Sequence, residues 1–183
     1  MMSITAHKIG GPKGIGAVYI RDLAEQQIEP MMHGGGQESG VRGGTVATPL
    51  IEGFGAAIEN FPKHYATLCG KDYKQYFYNA LERNGIPHIV NGGGKTVAHC
   101  TSVTLPKTAV AFMIISNAQA MCIAQGSACS SKKTGPSHVL SSLGLTPKQA
   151  EHTIRLSWPI DCRKKDIDFL VEQIALISEK MAG

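Results

Sequence analysis

The sequence predicts an α/β fold of mixed helix and sheet. Three observations predict it. From about residue 48 onward, short strand-like apolar runs alternate with helical segments. Hydroxyl-Pro starts and Gly stops punctuate those helices. The last stretch places Ile167, Leu170, Val171, Ile174, Ile177 and Met181 on one helical face. At 183 residues the chain fits one domain, or one domain plus part of another. Hydrophobic residues make up 43%, enough for a core and far from a disordered composition.

Taken in order, Ala17 to Ile20 reads as a strand after the glycine-rich turn 10–16. Residues 31–47 hold too many glycines for a regular element and form a connecting loop. Thr48-Pro49 starts a helix that runs to about Asn60. A second helical segment follows Pro62, is broken or bent near Gly70 and reaches about Arg83, where Asn84-Gly85 ends it. His88 to Asn91 and Ser102 to Leu105 read as strands. Residues 109–118 read as a short apolar helix. Met121 to Ala124 is a candidate strand leading into the Cys129 segment. Pro136 to Leu143 and Thr146 to about Thr153 are short helices, Ile154 to Trp158 a strand, and the remainder the terminal helix.

The bulk numbers exclude several classes. The longest apolar run, Ala109 to Ile115, is too short to span a bilayer. No secretion signal opens the chain, so a cytoplasmic location and no membrane partner are expected. Net charge is +4. Its densest cluster, Arg163-Lys164-Lys165, is flanked by Asp161 and Asp166, so direct nucleic-acid binding is not expected. The cysteines, at 69, 100, 122, 129 and 162, are odd in number and include no Cys-x-x-Cys pair. They suggest neither a disulfide framework nor a metal site. His99, His138 and His152 have no metal-ligand spacing.

Two segments carry possible chemistry. In Ser3-Ile4-Thr5-Ala6-His7-Lys8-Ile9-Gly10-Gly11-Pro12-Lys13-Gly14-Ile15-Gly16, an extended backbone would send Thr5 and His7 to one side, a hydroxyl and an imidazole beside an amine. On residues alone, Lys8 reads as an ordinary surface lysine. In Gly126-Ser127-Ala128-Cys129-Ser130-Ser131, small neighbours leave the sulfur accessible, and Lys132 and Lys133 favour the thiolate. Cys122, between Met121 and Ile123, reads instead as a buried thiol.

Together the lysine and Gly-Ser-Ala-Cys segments resemble the cysteine desulfurase family. The match runs end to end against the family's C-terminal half, with Thr5 where many members have serine. It implies the C-terminal part of a pyridoxal-phosphate-dependent transferase fold. Residues 1–30 would be a remnant of the large cofactor-binding domain, 31–47 a connecting loop, and 48–183 a small α/β domain. The resemblance implies pyridoxal 5'-phosphate as cofactor, held by Lys8, His7, Thr5 and, across a homodimer interface, Thr45. It implies Arg155 as the group that holds the substrate carboxylate. It implies Cys129 as the nucleophile that takes sulfur from L-cysteine, leaving L-alanine and a persulfide for a sulfur-acceptor protein, such as an iron–sulfur scaffold. Thr45 could otherwise simply begin the next helix, and Arg155 could belong to a structural ion pair. A sulfur carrier without catalysis and a selenocysteine lyase are the alternatives. The family's upstream half, which supplies the contacts to the cofactor ring, has no counterpart in the sequence. Residues 1–30 should therefore expose apolar surface.

Overall fold

The computed structural model describes residues 1–23, 28–93, 96–117, 123–125 and 137–182. The elements are β1 (Met2–Thr5), β2 (Gly16–Tyr19), α1 (Thr48–Cys69), α2 (Tyr73–Arg83), β3 (Ile89–Val90), β4 (Cys100–Thr104), α3 (Ala111–Asn117), β5 (Ala124–Gln125), α4 (His138–Ser142), α5 (Pro147–Glu151), β6 (Thr153–Ser157) and α6 (Lys164–Ala182). They form two compact units, residues 1–65 and 66–183, with the division inside α1.

In the first unit β1 and β2 pair antiparallel, from Met2 opposite Tyr19 to Thr5 opposite Gly16. A 3-10 turn over Ala6–Ile9 leaves β1 and ends at Gly10, whose φ of 90° is the left-handed conformation that favours glycine. Ala6 and Phe54 are its buried apolar side chains among the described residues. Met2, Val18 and Tyr19 are exposed, the last two by 61% and 53%. The apolar surface expected at residues 1–30 is present. β1 has no sequence signal, because four residues are too few for a period and its pairing is set by β2.

The prediction that a helix ends near Asn60 and restarts after Pro62 is corrected: α1 runs unbroken through Pro62. Proline removes one backbone donor, but the adjacent turns close around that gap. The Phe61 and Tyr65 rings stack across this stretch, 5.7 Å between centroids. Of the break or bend expected near Gly70, the structure shows the break: α1 ends at Cys69 and α2 begins at Tyr73. Asp72 then caps α2 by accepting from the Gln75 N–H at 3.1 Å.

The second unit is built on an antiparallel sheet of order β3-β4-β6-β5. One face packs on helices. Val103 and Leu105 with Ile154 and Leu156 meet Phe77 and Leu81 of α2 and Ile167, Val171 and Ile174 of α6. The three α6 residues are among the helical-face positions read from the sequence. Trp158 is buried beyond the end of β6, its ring 5.5 Å from that of Phe77. Thr101 turns to the same face and meets the Tyr78 hydroxyl at 2.6 Å. α5 starts with a reciprocal cap between Thr146 and Gln149, followed by Pro147 at the first helical position.

Candidate active site

In the first unit Thr5 ends β1 while His7 and Lys8 lie on the 3-10 turn. The expected side-by-side placement is present: Thr5 Oγ1 and His7 Nδ1 are 2.9 Å apart. It arises from a strand turning into a helix rather than from continued extension. His7 and Lys8 are exposed and Thr5 half-buried. Gly10 ends the turn two residues after the lysine, so Lys8 lies in the connection between β1 and β2.

Thr45, exposed in the same unit, follows a loop that holds itself. The Arg42 guanidinium donates to the carbonyls of Gly43 and Gly44, both at 3.0 Å. The Gly44 N–H donates to Gln37 Oε1 at 3.0 Å, and the Gly43 N–H to the Met32 carbonyl at 2.7 Å. The backbone crosses itself here: a Cβ on Gly43 would lie 2.5 Å from the Gly34 nitrogen. Only glycine allows that approach. Gln37 and Arg42 thus hold the Gly43–Gly44 backbone that precedes Thr45 in the sequence.

In the second unit β6 alternates. Ile154 and Leu156 enter the core, so Arg155 points to the opposite face, half-buried. Ser102 of β4 lies directly across from it on one side, and Ala124 of β5 on the other. Cys129 lies outside the described residues.

Beside Arg155 runs a polar network that sequence reasoning missed. Asn91 Nδ2 lies 3.2 Å from Ser102 Oγ and 3.1 Å from Thr104 Oγ1. Thr104 Oγ1 and Thr153 Oγ1 are 2.8 Å apart, and Thr153 donates to the Gln149 carbonyl at 2.7 Å. Each hydroxyl has one proton. Thr153 gives its proton to Gln149, the Thr104 hydroxyl has Thr153 Oγ1 at 2.8 Å and Asn91 Oδ1 at 3.2 Å as acceptors, and the Asn91 amide donates to Ser102 and Thr104. The available signal was polar alternation in β4 and β6, Ser102 and Thr104 against Thr153 and Arg155.

Elsewhere in this unit, burial pushes the Cys162 thiol above its ordinary pKa, and the Asp166 and Asp161 carboxylates push in the same direction. Asp166 accepts from the backbone and guanidinium of Arg163 at 2.9 to 3.0 Å, which holds its carboxyl below the ordinary range. Among the described residues no group of three or more His, Cys, Asp or Glu side chains could hold a metal ion. Among the same residues, no helix is long and apolar enough to cross a membrane.

Residues 1–170 match the model of the aminotransferase class-V family. The mitosomal cysteine desulfurase of Encephalitozoon cuniculi is 34% identical over 99% of this chain and 42% of its own length. Cysteine desulfurase IscS of Rickettsia typhi is 35% identical, over 99% of this chain and 45% of its own. Among solved structures, a NifS-like protein from Rickettsia africae superposes with a TM-score of 0.74 at 28% identity, covering 97% of this chain and 47% of that one. SspA in complex with cysteine gives 0.64 at 36% identity, covering 86% and 43%. The chain thus spans less than half the length of these relatives. The mixed helix and sheet is that of a partial α/β aminotransferase fold, and pyridoxal phosphate is the cofactor this family uses. The chain belongs to the class V aminotransferase family.

Proposed function

We propose that this chain supplies the lysine and the sulfur-accepting part of a pyridoxal-phosphate-dependent cysteine desulfurase that acts as a homodimer in the cytoplasm. The reaction converts L-cysteine to L-alanine. The substrate sulfur leaves its carbon, bonds to the Cys129 sulfur as a persulfide, and passes to an acceptor protein. Sulfur is oxidised and the substrate carbon reduced, so no outside oxidant or reductant is required. One observation carries this reading. Arg155, a group suited to a carboxylate, pairs in the sheet with Ala124, five residues before Cys129.

The residues present fit the cofactor as a donor set. A hydroxyl and an imidazole 2.9 Å apart beside an exposed amine suit a phosphate and an aldehyde. Thr5 and His7 would hold the group near Lys8, and Thr45 would reach it from a second subunit. When bound, the cofactor supplies an electron sink next to the substrate's α-carbon. Lys8 provides the amine that attaches the group and, once freed, a base for proton movement. Arg155 orients the substrate by its carboxylate, and the Cys129 thiolate attacks the substrate sulfur.

Sulfide release from L-cysteine under reducing conditions, measured on the protein containing this chain, tests the reading. Cys129→Ala should abolish release while retaining the violet absorbance of lysine-bound cofactor. Lys8→Ala should remove that absorbance. Full sulfide release by Cys129→Ala would refute the assignment of the nucleophile.

A further inference from the structure

Ser102 is half-buried on the polar face of the sheet, directly opposite Arg155. Residues opposite one another in an antiparallel pair have Cβ atoms about 5 Å apart. The amide of Asn91 fills an acceptor site on Ser102 Oγ, while the Asn91 backbone N–H donates to the Ser102 carbonyl at 2.9 Å. Asn91 Nδ2 is the donor in that contact, at 3.2 Å. The Ser102 hydroxyl proton therefore remains to be given, and among the described residues it has no acceptor. On the other flank of Arg155, Ala124 offers no side-chain donor.

We propose that Ser102 is a second binding residue for the amino-acid carboxylate, donating its hydroxyl proton beside the guanidinium of Arg155, with Asn91 as the residue that aims it. This rests on the reading that Arg155 binds the substrate's α-carboxylate. A carboxylate has about four lone-pair sites, and a guanidinium fork fills two. A hydroxyl whose acceptor side is already occupied is oriented to fill a third.

The test is a titration of the 183-residue chain with L-alanine, followed by amide and guanidinium NMR signals. Ethylamine, which is alanine without its carboxylate, is the control. The wild type should show saturable shifts at Ser102 and Arg155 with L-alanine and none with ethylamine. Ser102→Ala should weaken binding about tenfold, as expected for loss of a hydrogen bond to a charged group. Ser102→Thr should bind within about threefold of wild type, because a hydroxyl bound to a charged acceptor is retained. Arg155→Gln should abolish the shifts. Melting curves of the variants separate loss of binding from loss of fold. If Ser102→Ala binds like wild type while Arg155→Gln does not, Ser102 has no such role and the reading of Arg155 stands. If wild type shows no saturable shift, or Arg155→Gln binds equally, the carboxylate reading fails and this proposal fails with it.

Discussion

Thr104→Val tests whether the polar row beside Arg155 is a connected network. Valine matches threonine in shape but carries no hydroxyl. Thr104 and Thr153 are fully buried, and Asn91 is 8% exposed. The substitution removes the acceptor of one Asn91 amide proton at 3.1 Å and the donor to Thr153 at 2.8 Å. Thr153 keeps its bond to the Gln149 carbonyl, so the main penalty falls on the stranded Asn91 amide. A buried donor left unsatisfied costs about 1–3 kcal/mol. Against a whole stability of about 5–15 kcal/mol, that is a large share. Urea unfolding followed by Trp158 fluorescence reads it, since Trp158 is buried in the same unit. The expected result is a midpoint lowered by roughly 1 M at unchanged slope, taking 2 kcal/mol and a slope of about 2 kcal/mol/M. Asn91→Leu combined with Thr104→Val should lose less than the two single changes added, because the stranded group is gone. A Thr104→Val cost below about 0.5 kcal/mol, or strict additivity of the pair, would refute the network.

Three further outcomes follow from the geometry. Gly43→Ala drives a Cβ into the Gly34 backbone, so the 31–47 loop should open. Faster hydrogen exchange of the Gly43 N–H, now bonded to the Met32 carbonyl, reports it, and unchanged protection would refute the crossing. Cys69 is exposed and Cys162 is half-buried with a raised pKa. At pH 8 iodoacetamide should therefore alkylate Cys69 well before Cys162, as read by peptide mass spectrometry. The folded-state pKa of Asp166 is lowered, so its contribution to stability is full above the unfolded value of 3.8 and vanishes as pH falls through the lowered one. Asp166→Asn should therefore destabilise the protein at pH 7 and match wild type near pH 2 in paired thermal melts.

Much of the second unit was legible because its elements bury one face. The α6 positions from Ile167 to Ile177 repeat at helical spacing, and Thr146-Pro147 carries its own start signal. Legibility failed where a neighbour decides. Pro62 reads as a stop, yet the turns around it continue. β1 exists because β2 lies beside it. The pairing of Arg155 with Ser102 and Ala124 is a register, and no local pattern in a five-residue strand specifies one. Of the candidate site, the Thr5–His7 contact could be read from two residues of spacing. The Asn91–Thr104 contact, 13 residues apart, could not.

The hairpin that carries Lys8 has a thermodynamic consequence. Its unit buries Ala6 and Phe54 as apolar side chains among the described residues, whereas the sheet unit buries a continuous cluster. With so little buried area, the hairpin's opening free energy lies near the bottom of the range that native-state exchange samples. A ligand that binds only the closed hairpin has its apparent affinity reduced by the fraction of time the hairpin is closed. The same ligand stabilises that closure in proportion to the logarithm of its concentration over its dissociation constant. If a ligand is captured at Lys8 as proposed, that capture and the ordering of the lysine's own scaffold would be one coupled equilibrium. Any surface that covers Val18 and Tyr19 would act on it as a positive effector.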